Sequence, residues 1–329
     1  MRGRRSAVTD ARLRRGDYSS RAEVRAWGVG RLRAAGLGAR DAWVEADLLL
    51  RHAAGLTREE TLLRPSAPLR AEAATAFASL VARRTAGWPS AYLTGRCEFY
   101  GLALDVDPHV LIPRPETERL VEVVAAALAI CPAPIIVDVG TGSGAIAIAL
   151  AHVVADARVI ATDLSAEALA VAQTNAARLG LRDRITWRLG DALDALAGVV
   201  PLDGADAICA NPPYVPTDEV AALAREIREH EPRVALDGGP DGLALHRRIV
   251  AAAPAYLRPG GLLALETSAL GRQAHAVAAL VAAEGSYRPA RIVCDHAGLE
   301  RVVLARRRVS LDPAVPSLGS RETDAAAES

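Results

Sequence analysis

The residues whose types and spacing point most clearly to chemistry are Asn211-Pro212-Pro213-Tyr214, which directly follow the apolar segment 207–210. Two prolines remove two backbone donors and stiffen the turn, so the Asn211 side-chain oxygen and the Pro212 carbonyl remain as acceptors. Such a pair binds both hydrogens of a planar amide or amino group and orients its nitrogen for reaction. Tyr214 adds an aromatic face for packing. The tetrapeptide predicts group transfer to a planar nitrogen, with Asn211, Pro212 and Tyr214 as catalytic residues; a plain Pro-Pro turn is the alternative.

A glycine-rich turn forms a second candidate site at residues 138–144, DVGTGSG. It leaves a predicted strand and opens a predicted helix, and its glycines let the backbone approach a ligand without a Cβ clash. The spacing is GxGxG instead of GxGxxG, and no phosphate-binding side chain accompanies it, which disfavours a dinucleotide. A nucleoside–amino-acid ligand, S-adenosylmethionine, is favoured; a turn that only packs helix on strand is the alternative. The predicted cofactor-binding residues are Gly140, Thr141, Gly142, Ser143 and Gly144.

Two acidic residues follow the next two predicted strands. Asp163 ends the strand after the glycine-rich turn, where a carboxylate accepts hydrogen bonds from both hydroxyls of a ribose. Asp191 ends the third strand, and we predict that it contacts the adenine amino group while the backbone of Ala192 lies beside the ring. A helix cap next to Ser165 is the alternative for Asp163, and a turn is the alternative for Asp191.

The elements that must position these residues alternate between strand and helix from Ile135 onward, the pattern of a doubly wound α/β domain. The predicted strands are 135–139, 158–162, 185–189, 206–210, 261–266, 288–294 and 301–305, the last two pairing as a hairpin. Helices are predicted at 145–154, 165–179, 243–257 and 274–283. The sequence therefore predicts an α/β fold, a class I (Rossmann-like) seven-stranded methyltransferase domain.

The chain before this domain has a different character. Residues 21–86 show helical periodicity and are predicted to form a small helical substrate-recognition domain. Residues 87–115 are predicted to be a β-hairpin linker that includes Tyr92 and Leu93 in a strand. The methyltransferase domain is predicted at 116–308. The Arg-rich lead 1–20 and the tail 309–329 are predicted to be disordered.

Composition narrows the function classes. Acidic and basic residues balance at 39 each, which argues against a protein that coats nucleic acid by charge. The sequence contains no Lys, so Schiff-base and P-loop lysine chemistry is excluded. No CxxC pair exists, and no metal site is predicted. Without a long apolar run or a signal segment, we predict a cytoplasmic protein with no membrane contact. The mixed charge run 225–231 is typical of a solvated face.

These segments resemble the PrmC/HemK family, the release factor glutamine methyltransferases. The resemblance runs from about residue 83 to residue 306, and its most specific segments are LIPRPETE at 111–118 and NPPY at 211–214. Its other segments are AYLTG at 91–95, EF at 98–99, the turn at 138–144, EP at 231–232, GGPDGL at 238–243 and GG at 260–261. This chain departs from the family at Thr267-Ser268, where Ile-Gly is usual, at Trp88, where an acid is common, and at Ala192, where bulkier residues are common.

The resemblance implies a substrate, the glutamine of the Gly-Gly-Gln loop in class I peptide chain release factors, and hence a role in translation termination. The products would be N5-methylglutamine and S-adenosylhomocysteine. By position, residues 140–144 and Asp163 would bind the cofactor, and Asn211 would touch both cofactor and substrate. Pro212, Pro213 and Tyr214 would complete the glutamine pocket. The N-terminal helices would help to grip the release factor, and we expect a monomer.

Other functions remain open at this point. An adenine-N6 DNA or RNA methyltransferase, or an enzyme acting on a ribosomal-protein glutamine, would use the same NPPY chemistry, because these target nitrogens are all planar. Neutral net charge and the lack of a DNA-reading module argue against nucleic acid, and LIPRPETE favours the release factor. A non-catalytic or dinucleotide-binding Rossmann-type protein is a remote alternative, for which GxGxxG spacing would be expected.

Overall fold

The computed structural model describes residues 20–309 of the 329-residue chain. The predicted disordered lead and tail lie outside these residues, apart from Ser20 and Val309. The helices are α1 (Arg21–Ala34), α2 (Ala39–Ala54), α3 (Arg58–Leu63), α4 (Ala71–Thr85), α5 (Ser90–Thr94), α6 (Glu118–Leu128), α7 (Ala145–Val153), α8 (Ala166–Arg178), α9 (Arg225–His230), α10 (Ala244–Ala252) and α11 (Gln273–Glu284). No helix in this range combines the length and apolar character that crossing a bilayer requires.

The strands form two sheets. They are β1 (Arg96–Phe99), β2 (Leu102–Asp105), β3 (Ile135–Val139), β4 (Arg158–Asp163), β5 (Ile185–Leu189), β6 (Ala205–Ala210), β7 (Leu257–Glu266), β8 (Arg291–Cys294) and β9 (Glu300–Arg306). β1 and β2 make an antiparallel hairpin, and the other seven form one sheet in the order β5-β4-β3-β6-β7-β9-β8. β3 to β7 are parallel, whereas β9 is antiparallel to both β7 and β8. The predicted seven-stranded α/β fold is therefore confirmed.

Both faces of the large sheet are covered, which explains why its parallel strands are nearly continuous apolar runs. Ile136 packs in one cluster with side chains of α6 and α7. Val137, the next residue of β3, points to the opposite face and packs in a second cluster with side chains of α10 and α11. Both side chains are fully buried. The central strands are thus held from two sides, and the loops at their carboxyl ends start from a rigid base.

The N-terminal helices have a core of their own, in which Val24, Leu49 and Phe77 are fully buried. This part of the chain contacts α9, the helix that follows the Asn211 loop. Trp88 stacks on His230 with ring centroids 4.4 Å apart, and the guanidinium of Arg83 lies 4.3 Å from the Trp88 ring. The helical region is therefore anchored to the segment that leaves the candidate site.

Two helical segments differ from the sequence prediction, and β8 begins at Arg291 instead of the predicted residue 288. Tyr92 and Leu93 lie in the short helix α5 instead of a strand, because Pro89 starts a helical turn and Gly95, at φ +71°, ends it. The helix predicted to reach residue 257 ends at Ala252, and Leu257 already begins β7. Pro254 lacks the N–H that a continuing α-helix needs, so the chain forms a 3₁₀ turn there.

Candidate active site

A cavity of about 410 Å³ opens at the carboxyl edge of the large sheet. It lies where the chain, after moving outward from β3 to β5, crosses to β6 on the other side of β3, the usual ligand position in such sheets. Its volume is in the range of small-molecule sites, roughly 300–1,000 Å³. The predicted site residues that line it are Gly140, Thr141, Gly142, Ser143, Asp163, Asp191, Ala192, Asn211, Pro212 and Pro213. Gly144 and Tyr214 do not.

The glycine-rich turn is fixed by the neighbouring strand. The backbone N–H groups of Gly140 and Thr141 both donate to the Thr162 carbonyl, at 2.9 Å each. Gly144 begins α7 at φ +84°, and a Cβ there would lie 2.9 Å from Ile148 Cδ1 and 3.1 Å from Ala172 Cβ. Gly144 therefore serves close packing behind the cavity, while the preceding residues of the turn face it.

Asp163 lies at the cavity and is bonded to the backbone of two segments, while its contact with a ribose stays a prediction. Its Oδ1 accepts the Ser165 N–H at 2.9 Å, while the Ser165 hydroxyl caps α8 by accepting the Ala168 N–H at 3.0 Å. Its Oδ2 accepts the Gly142 N–H at 2.8 Å. Each carboxylate oxygen keeps a lone pair for a further donor. The carboxylate thus holds the glycine-rich turn and presents acceptors to the cavity.

A second carboxylate lies beneath the same turn. Asp138 is fully buried, and its Oδ2 accepts the Thr141 hydroxyl at 2.7 Å and the Ala147 N–H at 3.1 Å. Its Oδ1 is buried without a hydrogen-bond partner among the described residues. Burial raises the pKa of Asp138 to about 7, and the charge of nearby Asp163 contributes in the same direction. Asp138 does not line the cavity, so it supports the turn from within the protein core.

The residues predicted to contact adenine lie at another part of the cavity wall. Asp191 forms an ion pair with Arg248, with two N–O distances of 3.0 Å, and both side chains are half-exposed. Ala192 adopts φ +52°, and its carbonyl accepts the Thr162 hydroxyl at 3.2 Å. The structure thus places both residues at the cavity, with the Asp191 carboxylate already paired. Their contact with adenine stays a prediction.

The Asn211 amide has a defined orientation. Its Nδ2 donates to the Thr117 hydroxyl at 3.2 Å, which leaves the Asn211 Oδ1 as an acceptor. Pro212 and Pro213 line the cavity beside it. Tyr214 is not among the residues that line the cavity; its carbonyl accepts from Gln273 Nε2 at 3.0 Å, and burial raises its pKa to about 12. The geometry thus places Asn211, Pro212 and Pro213 together at the cavity, and the substrate contact of Tyr214 stays a prediction.

The LIPRPETE segment is bonded to Glu231, a buried carboxylate whose role the sequence did not predict. Arg114 donates to Glu231 Oε1 at 2.5 Å, and the Ile112 N–H donates to Glu231 Oε2 at 3.2 Å. Glu231 is only 6% exposed, so the expectation of a solvated face is wrong at this position. Burial raises its pKa, although Arg114 acts in the opposite direction. The sequence feature that could have indicated this role is Glu231-Pro232, one of the segments that resemble the family.

The GGPDGL segment packs directly against the NPPY backbone. A Cβ on Gly238 would lie 2.6 Å from the Pro213 carbonyl oxygen, and one on Gly242 would lie 2.4 Å from the Tyr214 carbonyl oxygen. Gln273 Nε2 joins the two segments by donating to Tyr214 O at 3.0 Å and to Gly242 O at 3.2 Å. Side chains at these two glycines would therefore push the loop out of place.

Gly242→Ala is expected to lower turnover roughly 100-fold, because the added Cβ must displace the loop that carries the acceptors. Gly285→Ala is the matched control: Gly285 has φ +87°, near the φ +73° of Gly242, but nothing lies within 4 Å of its Cβ position. Both variants should lose stability, on the order of 1 kcal/mol, from the strained backbone. Thermal melts and steady-state rates check this; equal turnover in the two variants would refute a role for close packing.

The described residues offer no metal centre, since no three His, Cys, Asp or Glu side chains are grouped as a metal site requires. Comparison with known families gives two matches. The family model for the PrmC N-terminal domain matches residues 23–95, and a methyltransferase domain model matches residues 136–231. The second range contains the glycine-rich turn, Asp163 and Asn211.

Similar proteins match over most of their length. A release factor glutamine methyltransferase of Moorella thermoacetica is 47% identical over 265 residues, covering 80% of this chain and 91% of the relative. One of Cereibacter sphaeroides is 45% identical over 278 residues, covering 84% and 95%. One of Caulobacter vibrioides is 38% identical over 291 residues, covering 88% and 98%. At these identities and coverages, the chain belongs to the release factor glutamine methyltransferase family.

Proposed function

We propose that this chain transfers a methyl group from S-adenosylmethionine to the side-chain amide nitrogen of the glutamine in the Gly-Gly-Gln motif of class I release factors. The observation that carries the proposal is the Asn211 amide, whose Nδ2 is held by Thr117 so that Oδ1 remains an acceptor beside the cavity. A glutamine side-chain amide has two N–H groups, which Asn211 Oδ1 and the Pro212 carbonyl are suited to accept. Tyr214, whose carbonyl is held by Gln273 Nε2, completes the glutamine pocket with Pro213 in this proposal.

The cavity fits S-adenosylmethionine by its chemistry. The free lone pairs of Asp163 suit the two ribose hydroxyls. The glycine-rich turn allows the ligand to lie close to the protein backbone. The Asp163 carboxylate at the cavity wall favours a positively charged ligand. We assign residues 140–143, Asp163, Asp191, Ala192 and Asn211 to cofactor contact, and Gly144 to packing beneath it.

The reaction needs alignment more than a strong base. S-adenosylmethionine supplies an electrophilic methyl group on a sulfonium. The two acceptors hold the substrate N–H groups, so that the nitrogen lone pair points toward that methyl. An N–C bond forms from the nitrogen lone pair as the C–S bond breaks; S-adenosylhomocysteine leaves with the C–S electron pair, and the amide nitrogen releases one proton to solvent. As positive charge develops on this nitrogen, both acceptors become stronger partners, which stabilises the transition state.

The wider organisation follows from this assignment. We propose that residues 21–86 are a substrate-recognition domain, that 87–115 link it to the methyltransferase domain at 116–308, and that the enzyme acts as a cytoplasmic monomer without nucleic-acid contact. The relatives are named for release factors, which favours this substrate over a ribosomal protein or adenine.

The substrate is tested by incubating the protein with methyl-labelled S-adenosylmethionine and a purified class I release factor. We expect label in the release factor, at one site per molecule. A release factor with its loop glutamine changed to Ala is the control, and it should remain unlabelled. Equal labelling of both would overturn the assigned site, and label in duplex DNA or rRNA alone would favour the adenine enzyme.

A further inference from the structure

Glu266 is a buried carboxylate that the proposed chemistry leaves without a role. It ends β7, which lies beside β6 with Leu265 opposite Ala210, so Glu266 and Asn211 leave neighbouring strands at the same level. The residue is 1% exposed, and neither carboxylate oxygen has a hydrogen-bond partner among the described residues. Buried polar groups are nearly always hydrogen-bonded, so this exception calls for an explanation.

The charges around Glu266 are largely engaged elsewhere. The titratable and charged groups near it are Arg114, Glu116, Tyr214, His246 and Arg301. Arg301 pairs with Asp295 at 3.2 Å, and Arg114 pairs with Glu231 at 2.5 Å. The imidazole of His246 contacts only the backbone carbonyl of Glu266, at 2.9 Å. None of these groups therefore neutralises the carboxylate directly.

The Thr117 hydroxyl lies near enough to the Glu266 carboxyl to lower its pKa, although the two groups form no full hydrogen bond in this structure. Burial raises the pKa of Glu266 to about 7, and the Thr117 hydroxyl is the first of the groups that oppose this rise. Thr117 is itself 4% exposed, and its oxygen already receives the Asn211 Nδ2 hydrogen. The Thr117 hydroxyl therefore lies between a buried carboxyl group and the amide that is to hold the substrate.

A hydroxyl group has a single hydrogen, and its direction decides which way the Asn211 amide turns. If Thr117 donates this hydrogen to Glu266, its oxygen can only accept from Asn211, so Nδ2 faces Thr117 and Oδ1 faces the cavity. If Thr117 donates to Asn211 instead, the amide flips and presents Nδ2 to the cavity. A flipped amide would place its own N–H donors opposite the substrate N–H groups, and two donors cannot form a hydrogen bond.

We propose that Glu266 is a positioning residue, which acts through the Thr117 hydroxyl to keep the Asn211 Oδ1 turned toward the substrate nitrogen. The kinetic consequence rests on the proposed methyl transfer, whereas the orientation of Asn211 does not. Ionised Glu266 draws the hydroxyl hydrogen and selects the productive amide. Protonated Glu266 can donate to Thr117, which frees the hydroxyl hydrogen for Asn211 and allows the flip.

The first test reads the amide itself and needs no substrate. In the full-length protein, the side-chain NH₂ resonances of Asn211, assigned by their loss in Asn211→Ala, should shift with pH with a midpoint near 7. In Glu266→Gln the same resonances should show no such step. A titration that persists unchanged in Glu266→Gln, or its absence from the unsubstituted protein, would overturn the inference.

The second test measures kcat with release factor and S-adenosylmethionine. Glu266→Gln should lower kcat roughly 10- to 100-fold at pH 8, with KM and cofactor affinity little changed, and should abolish the fall in kcat below pH 7. Thr117→Val should have a similar effect, and Thr117→Ser should restore the rate. Glu118→Gln is the matched control, because it removes a neighbouring charge whose carboxylate accepts the Tyr100 N–H.

Thermal stability separates positioning from a structural role. The pKa of Glu266 is raised on folding, so the folded protein retains a proton that the unfolded chain loses between about pH 4.5 and 7, and stability falls across that window. Glu266→Gln should therefore raise the Tm at pH 8 while lowering kcat. A variant that loses stability and rate together would contradict the inference. If the resonances behave as expected but no release factor is methylated, the proposed function fails and the positioning role stands.

Discussion

Asn211→Ala is expected to lower kcat for release-factor methylation by roughly 100- to 1,000-fold, the usual effect of removing one group that binds developing charge. The variant lacks the side-chain oxygen that accepts a substrate N–H, so the nitrogen lone pair is no longer directed at the methyl group. Cofactor affinity should change by less than about threefold, because the glycine-rich turn and Asp163 remain intact. Single-turnover rates and calorimetric titration with S-adenosylmethionine measure the two quantities separately.

The control for this variant is Pro216→Ala, which alters the same loop at a residue outside the cavity lining. It should keep nearly full turnover. If Asn211→Ala also kept full turnover, Asn211 would have no part in the chemistry. If it lost cofactor binding to the same extent as turnover, its main role would be to hold the cofactor.

Asp163→Ala is expected to weaken S-adenosylmethionine binding about 100-fold, or ~2.7 kcal/mol, for two reasons. The ribose hydroxyls lose a charged acceptor, and the Gly142 N–H, now 2.8 Å from Asp163 Oδ2, loses its partner. Asp163→Asn keeps one acceptor oxygen and should lose less. Isothermal titration at constant pH measures both, and circular dichroism verifies that each variant is folded.

Glu167→Ala serves as the matched control for Asp163. Glu167 is an exposed carboxylate in the first turn of α8 that bonds the Ser165 hydroxyl at 3.0 Å and does not line the cavity. Its removal should leave cofactor affinity unchanged. Similar losses in Glu167→Ala and Asp163→Ala would mean that general negative charge, and not the Asp163 contact, determines binding.

The strands of the large sheet were predictable because their signal is local. Residues 135–139 and 185–189 are short runs bounded by turn residues, and the structure forms β3 and β5 over those same residues. The ends of α5 and α10 were harder, because a single proline outweighs the surrounding hydrophobic pattern at each. Pro89 starts a helix where aromatic residues suggested a strand, and Pro254 ends one early.

The site was predictable only in part, for a different reason. The glycine-rich turn and the NPPY loop are each an unbroken run of residues, so the residue types within each run indicate its chemistry. Their partners are remote: Thr117 meets Asn211 across 94 positions, and Arg114 meets Glu231 across 117. No periodicity encodes such pairs. The sequence therefore placed Glu231 in a solvated charge run, although the folded chain buries it against Arg114.

The same remote contacts make the NPPY loop a late-forming part of the molecule. The residues around it come from 112–117, 231, 238–242 and 273. Bringing these distant segments together costs conformational entropy for each long stretch of chain between them. During synthesis the N-terminus leaves the ribosome first, and Gln273 is made 62 residues after Asn211. A ribosome-bound chain that ends before α11 contains the glycine-rich and NPPY residues but lacks Gln273, the partner of the Tyr214 carbonyl. We therefore expect the substrate pocket to close only after residue 273 has been translated.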